Sequence, residues 1–212
     1  MKKAKKILLM VCALALTAAM AVGGTLAYLT SQDAVTNTFT VGNVKIVLDE
    51  TDIDSTETNK TVEGRDKANE YHLLPGSTYV KDPRITVTSK TATDAVYKSQ
   101  FDSESCYLFV KVENEIVAIE AETTVAQQMD AKGWDLVQDD IYCYCGADGK
   151  PVALTAGSQV VVFDNFTIKG DVSNETLSAY AGKTIKVNAY AVQSAGFESK
   201  SASEIWTAAA FS

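Results

Sequence analysis

Residues 185–191 read Ile-Lys-Val-Asn-Ala-Tyr-Ala and form the most regular pattern in the chain. The odd positions, from Ile185 to Ala191, are all apolar, and the positions between them carry Lys, Asn and Tyr. Successive side chains of a β-strand point to opposite faces of the sheet. The strict alternation therefore predicts a strand with one buried and one exposed face.

Shorter apolar patterns recur along the chain and are separated by polar and Gly-containing segments. They cover residues 85–88, 108–112, 134–137, 141–145, 160–163 and 166–168. Two other segments predict helices: 123–132, which is rich in good helix formers, and 201–210, which begins with the capping box Ser201 to Glu204. Many short strands, few helices and no βαβ rhythm predict an all-β antiparallel β-sandwich with short inserted helices. The periodicity does not distinguish a jelly roll from another Greek key.

The first 27 residues have the layout of a secretory signal peptide. Four lysines within residues 2–6 precede an uncharged apolar run, residues 7–22, and a small-residue segment that ends at Ala27. With Thr25 at position −3 and Ala27 at −1, cleavage yields a mature chain that begins at Tyr28. The alternative is an uncleaved membrane anchor, because a bilayer span needs about 20 apolar residues. We expect the signal peptide to be cleaved. The protein would then contact the membrane only before this cleavage.

Residues 28–212 have the size of a single domain. The chain has 19 basic and 27 acidic residues, and four of the basic ones leave with the signal peptide, so the mature chain has a formal net charge of −12. An acidic surface of this size repels nucleic acid and anionic lipid. Binding to nucleic acid is therefore excluded as a function.

The alternation changes its phase at Gly42. Val35, Phe39 and Val41 are apolar at odd positions, whereas the apolar residues of 44–48 stand at even positions. A slip of one residue moves every side chain of a strand to the opposite face. We therefore expect a bulge, a kink or a boundary between two separately used segments at Gly42.

Several of these patches resemble the TasA/camelysin family of secreted surface and biofilm-matrix proteins. The amino-terminal patches are the most specific: Gly-Gly-Thr-Leu-Ala-Tyr-Leu-Thr at 23–30 and Val-Thr-Asn-Thr-Phe-Thr-Val-Gly at 35–42. Weaker similarities lie at 44–46, at Leu-Pro-Gly 74–76, and at 81–83, 108–112, 185–193 and Trp206.

The resemblance implies a jelly-roll sandwich, export through a dedicated signal peptidase of a Gram-positive bacterium, and a place in extracellular matrix fibres or on the cell surface. In that family the freed amino-terminal segment of one subunit adds a strand to the sheet of the next, which is a form of β-augmentation. In this chain the donor arm would be residues 28–41. Its partner would be a second copy of the chain, with other matrix proteins as further partners. The competing interpretation is that residues 33–48 form an ordinary first strand of their own domain.

Three cysteines remain in the mature chain: Cys106, Cys143 and Cys145. Cys143 and Cys145 are two residues apart in a strand-like run and point to the same face. A disulfide between Cys106 and one of them and three buried thiols are both compatible with the sequence. The spacing does not predict a zinc site.

No catalytic residue, cofactor or metal is expected, and we expect the protein not to be an enzyme. Camelysin-like proteins have been classed as metalloproteases, which makes that activity the less favoured alternative. His72 is the single histidine of the chain. A catalytic zinc commonly takes two histidines among its three protein ligands, and serine or cysteine catalysis would also need His72 as its base. There is no Gly-x-Ser-x-Gly motif either.

A monomeric surface adhesin or binding module is the other alternative. Exposed aromatic side chains would serve it, although strand positions also suit cross-strand packing. The candidates are Tyr142, Tyr144, Tyr180 and Tyr190.

The acidic segment 49–70 is predicted to be a solvated loop. Its carboxylates would suit calcium, a hard cation that takes oxygen ligands, but no Asp-x-Asp-x-Asp-Gly loop follows them. The carboxylates concerned are Asp49, Glu50, Asp52 and Asp54.

Overall fold

The computed structural model of the protein describes residues 43–54 and 60–211. The residues of the expected cleavage site, Thr25, Ala27 and Tyr28, lie outside this part of the chain. The expected donor arm lies outside it as well, with its residues Val35, Phe39, Val41 and Gly42. The described part begins at Asn43, just before the first strand.

Short strands dominate the described residues. The strands are β1 (Ile46–Thr51), β2 (Arg65–Asp66), β3 (Thr78–Val80), β4 (Arg84–Val87), β5 (Cys106–Asn114), β6 (Trp134–Gln138), β7 (Ile141–Tyr144), β8 (Gln159–Val161), β9 (Asn165–Thr167) and β10 (Ile185–Gln193). The helices are α1 (Val125–Ala131), α2 (Asn174–Ser178) and α3 (Ala202–Ala209), and a 3₁₀ turn covers Val117–Ile119.

The strands form three antiparallel sheets. One four-stranded sheet has the order β2-β1-β4-β8, and a second has the order β10-β5-β7-β6. The third sheet is the pair β3-β9. The predicted all-β class, antiparallel with few short helices, is confirmed.

The main core lies between the two four-stranded sheets. β4 contributes Ile85 and Val87, and β5 contributes Leu108 and Val110, all four of them 0% exposed. Trp134, the first residue of β6, is buried in the same cluster. These side chains come from both sheets, which is why the central strands read as apolar in the sequence.

The C-terminal helix covers the other face of the second sheet. Phe109 points away from the main core and is buried in a second apolar cluster with Ile205 of α3. The ring of Trp206 lies 5.4 Å from that of Phe109, centroid to centroid. Ser201 and Glu204 form the capping box that begins the helix. The predicted terminal helix is therefore confirmed, and Trp206 contributes to its contact with the sheet.

The predicted helix near residues 123–132 is α1. Thr124 and Gln127 form its capping box, and Met129 faces the core. Gly133 follows the helix with a φ of 86°, and a Cβ there would lie 2.9 Å from the carbonyl oxygen of Cys145. Glycine is needed at this turn both for its positive φ and for the close approach of the backbone at Cys145, just after β7. The sequence did not predict the short helix α2.

The three mature cysteines are free and buried. Cys106 lies in the main core, whereas Cys143 and Cys145 lie in the cluster on the other face of the same sheet. The pairing that the sequence left open, Cys106 with Cys143 or Cys145, is not formed, because the side chains are on opposite faces. Burial raises the pKa of the Cys106 thiol to about 11, which keeps it protonated and unreactive at neutral pH.

The segment 49–70 differs from the predicted solvated loop. β1 extends to Thr51, and Asp66 of β2 pairs with Glu50. Asp49, Glu50 and Asp66 are 2%, 5% and 0% exposed. The segment carries few apolar residues, and Asp49 and Glu50 are buried in ion pairs with Arg65 and Lys81, which a hydrophobicity pattern does not reveal.

Candidate functional site

β10 has a strand partner on one side. It pairs with β5 over its whole length, Ile185–Gln193, and no other strand of the described residues pairs with it. At the two ends of this ladder, Glu115 N–H donates to the carbonyl of Thr184 and Ser194 N–H donates to that of Ser105. Backbone bonds in an antiparallel ladder alternate along the strand. The even-numbered residues of β10 therefore bond to β5, and the backbone groups of the odd-numbered residues point toward the open side.

β1 leaves a similar but shorter open edge. Thr88 N–H donates to the carbonyl of Lys45, so the odd-numbered residues of β1 bond to β4. The even-numbered residues point to the other side, where β2 pairs with Glu50. Within the described residues, no strand pairs with Ile46 or Leu48 on that side.

The apolar side chains of these two edges are less buried than those of the inner strands. Val87 in β4 and Val110 in β5 are 0% exposed. Their neighbours across the ladders are only half-buried, although they pack against the same core. These half-buried residues are Ile46 and Leu48 in β1 and Ile185, Val187, Ala189 and Ala191 in β10. The described part of the chain therefore covers the core incompletely on the side where β1 and β10 lie.

A groove of about 1640 Å³ runs between the two edges. Both strands line it, and its remaining walls are largely apolar and aromatic. The other apolar lining residues include Tyr71, Leu73, Leu74, Ile116, Phe166, Leu177 and Tyr180. We call this opening the edge groove.

Aromatic rings fix one wall of the edge groove. The rings of Tyr79 in β3 and Phe166 in β9 stack at 5.1 Å between centroids, and Tyr71 meets Phe166 edge-on at the same distance. The Tyr79 hydroxyl donates to the carbonyl of His72 at 2.7 Å. These contacts hold the segment that carries His72 and Leu73, so the wall is formed before anything enters the groove.

Ion pairs fix the end of β1. Arg65 donates through Nε to Asp49 at 2.5 Å and through Nη1 to Asp82 at 3.1 Å. The Tyr97 hydroxyl also donates to Asp49. Burial alone would raise the pKa of Asp82, but hydrogen bonds from Thr51 and Arg65 outweigh it and hold that pKa below its ordinary value. This network ties β1, β2 and the residues before β4 together.

A salt bridge adds polar character to this end of the edge groove. Lys81 Nζ lies 2.6 Å from Glu50 Oε2, and both residues line the groove. The opening is thus apolar along the strands and charged at one end. Such a surface can bind an extended chain through backbone hydrogen bonds and apolar side chains.

The structure places the other candidate residues in packing roles. The ring of Tyr144 lies 5.3 Å from that of Trp134, and the ring of Tyr190 lies 5.3 Å from that of Trp206. Tyr142 and Tyr180 are half-buried against the main core, and Tyr180 also lines the edge groove.

Potential metal ligands cluster at one place in the described part of the chain. The group consists of Asp52, Asp54 and Asp66. His72 is not a member of it. Asp49 and Glu50, two of the residues considered for calcium, pair with Arg65 and Lys81 instead.

The sequence did not identify the edge groove, although it contained one sign of it. The alternation in residues 185–191 predicted a half-buried strand, and these residues line one wall. Whether another strand lies beside β10 depends on the order of the strands in the sheet. The alternation of apolar and polar residues does not determine that order.

No helix within residues 43–54 and 60–211 is both long and apolar enough to cross a membrane. Comparisons with protein-family models, with curated proteins and with solved structures found no significant match.

Proposed function

We propose that the protein is a secreted structural subunit that assembles into extracellular fibres by strand donation. The amino-terminal arm of one copy adds a strand to the edge groove of the next. The single observation that carries this proposal is the edge of β10 that no other strand of residues 43–54 and 60–211 pairs with, beside half-buried apolar side chains of the core.

The edge of β10 has the properties of a strand acceptor. All nine residues of β10 pair with β5 in one continuous register. The backbone N–H and C=O groups of its odd-numbered residues point toward the edge groove. Unpaired strand edges invite further pairing, and proteins usually protect them with charges, prolines or bulges. None of the odd positions of β10, from Ile185 to Gln193, carries a charge or a proline, and the pairing with β5 has no bulge.

The donor arm has a matching pattern. Val35, Phe39 and Val41 share one face, and threonines stand between the apolar positions. When the arm is added beside β10, this apolar face can cover the core while the backbone completes the ladder. At about 3.3 Å per residue, an extended arm of residues 28–41 spans on the order of 45 Å, enough to enter a neighbouring subunit.

The proposed family and fold are part of the same proposal. The resemblance to the TasA/camelysin family, carried by residues 23–30 and 35–42, implies a jelly-roll sandwich. We assign the two four-stranded sheets to that fold, with the donated strand as the missing cover between β1 and β10. Signal cleavage before Tyr28 would free the arm. The site of action is then the extracellular matrix or the cell surface.

Electron microscopy and sedimentation of residues 28–212 test this proposal. The mature chain should form filaments, and a chain of residues 42–212 should stay monomeric. Two variants of residues 28–212 test the arm without truncating it. Phe39→Asp places a charge on the apolar face of the arm, and its control Thr38→Asp places the charge on the opposite face. Filaments should be lost with Phe39→Asp and kept with Thr38→Asp.

Two results would contradict strand donation. One is filament formation by residues 42–212, which would place the contact elsewhere. The other is a mature chain that stays monomeric under both reducing and oxidising conditions, which would favour the adhesin or binding module. In that case the edge groove would be a site for an extended segment of another protein.

A further inference from the structure

Three carboxylates converge at the end of β1, outside the edge groove. One carboxylate oxygen from each of Asp52, Asp54 and Asp66 lies within 4.8 Å of those of the other two. Asp52 and Asp54 follow β1 in the chain, and Asp66 is the second residue of β2. The cluster therefore joins two segments that the sequence separates by a dozen residues.

Asp66 is the unusual member of the cluster. It is 0% exposed. Its Oδ1 accepts the N–H of Ala68 at 2.6 Å, whereas its Oδ2 has no hydrogen-bond partner. A buried carboxylate oxygen without a partner costs free energy, and native proteins normally satisfy such atoms with a donor, a water or an ion.

The electrostatic surroundings of Asp66 are also unfavourable for a carboxylate. The side chain is buried, and the carboxylates of Asp54, Asp52 and Glu50 lie near enough to repel it. Lys60 lies 3.5 Å from Asp52 and offsets part of this negative charge. A cation placed among the three carboxylates would offset more of it.

The two segments are held in place by contacts outside the carboxylate cluster. Asp52 N–H donates to the carbonyl of Gly64 at 3.0 Å, and Ile53 N–H donates to Asn69 Oδ1 at 2.8 Å. The Asn69 amide in turn donates to the Thr51 carbonyl at 2.9 Å. Asp54 Oδ2 also accepts the N–H of Glu70 at 2.8 Å. The carboxylates are thus brought together by the fold of the backbone and by its N–H groups.

We propose that Asp52, Asp54 and Asp66 form a calcium site. Calcium takes six to eight oxygen ligands at about 2.3–2.6 Å, so two of its ligands are at most about 5 Å apart. The three carboxylate oxygens lie within 4.8 Å of one another, so one calcium ion can contact all three after small side-chain movements, and water would complete its coordination. Magnesium retains most of its own water and demands near-ideal octahedral geometry, which suits three carboxylates from two segments less well. The sequence had predicted a solvated loop without metal here.

The site does not depend on strand donation. Its ligands come from one copy of the chain, so calcium should bind the monomer and the filament alike. Bound calcium would fix β2 against the end of β1, at the charged end of the edge groove.

Thermal unfolding of residues 28–212, at a concentration where the protein is monomeric, tests this site. The probe is CaCl2 from 0.01 to 10 mM after treatment with EGTA, compared with MgCl2 at the same ionic strength. At about 100 times the Kd, binding should raise the Tm by about 5–10 °C. Isothermal titration should give a Kd of about 10⁻⁴–10⁻³ M, the range of extracellular calcium modules.

Three variants make the test specific. Asp66→Asn keeps the acceptor for Ala68 but should abolish the calcium shift, and in EGTA it should melt at or above the wild-type temperature because an uncompensated charge is removed. Asp54→Asn, at a half-buried position, should lose most of the shift. The control Asp171→Asn, at an exposed position in another loop, should respond like the wild type.

Two outcomes would overturn the calcium site. One is a wild-type Tm and titration heat that do not change up to 10 mM CaCl2. The other is an equal calcium shift in the wild type and in both cluster variants, which would show that calcium binds elsewhere. Neither outcome bears on filament formation, so this proposal can fail while the proposed function stands.

Discussion

Replacement of Val187 by glutamate is expected to block assembly. Val187 lies in the middle of β10, lines the edge groove and is half-buried. Its partner across the ladder, Val112, is 8% exposed. In the free subunit the introduced carboxylate can reach water through the open side. An added strand would cover it and leave it buried without a partner.

The size of the effect follows from this change in burial. Covering an unpaired carboxylate costs several kcal/mol, even after the protein relaxes. The apolar contact of Val187 with the donated strand is lost as well, which adds about 1 kcal/mol. We therefore expect assembly to weaken by at least about 3 kcal/mol, which corresponds to a rise of more than about 100-fold in critical concentration.

Sedimentation of serial dilutions measures the critical concentration, and circular dichroism measures the stability of the monomer. Val117→Glu is the control, because Val117 is 56% exposed in the 3₁₀ turn. It should assemble like the wild type. If Val187→Glu folds and forms filaments at the wild-type critical concentration, the edge of β10 is not the acceptor.

Three further predictions concern stability and can be checked by urea unfolding of the monomer. Glu120→Gln should raise the free energy of unfolding at pH 7 by about 1–2 kcal/mol, because Glu120 is 2% exposed and its Oε2 has no partner. Burial holds the pKa of Glu120 above its ordinary value, so the wild-type carboxylate is destabilising at neutral pH. The advantage of the variant should shrink as the pH falls and Glu120 becomes protonated; an advantage that grows on acidification would contradict this. Arg65→Met should cost about 3–5 kcal/mol, because it leaves Asp49 buried without its main partner, and a loss below about 1 kcal/mol would show that Tyr97 and Arg84 suffice. Ile205→Ala should cost about 2–4 kcal/mol by opening a cavity over Phe109; a neutral effect would mean that α3 does not cover the second sheet.

Much of the fold could be predicted because it depends on local patterns. The alternation in residues 185–191 correctly predicted the strand β10, and the apolar pattern of residues 108–112 correctly predicted part of β5. The capping box at Ser201 marked the start of α3, and the good helix formers in residues 123–132 indicated α1. Each of these signals lies within a few residues, so the sequence displays it directly.

The candidate sites depend on contacts between distant residues and were not predicted. The edge groove exists because β10 is the outer strand of its sheet, and the order of strands is set by the packing of the whole domain. Asp66 was not considered as a calcium ligand because its closeness to Asp52 and Asp54 arises from the pairing of β2 with β1. The burial of Asp49 was not predicted, because a charged residue is expected to be exposed unless it has an ion-pair partner. The partner of Asp49 is Arg65, which is 16 residues away in the sequence.

The free edge of β10 can be tested residue by residue through amide hydrogen exchange. The amides of Val187, Ala189 and Ala191 point to the open side, whereas those of Asn188 and Tyr190 bond to β5 and serve as internal controls. We predict that the three odd-numbered amides exchange fast in the monomer and become protected in filaments, while the even-numbered ones are protected in both. Filaments in which the odd-numbered amides exchange as fast as in the monomer would contradict strand donation to β10.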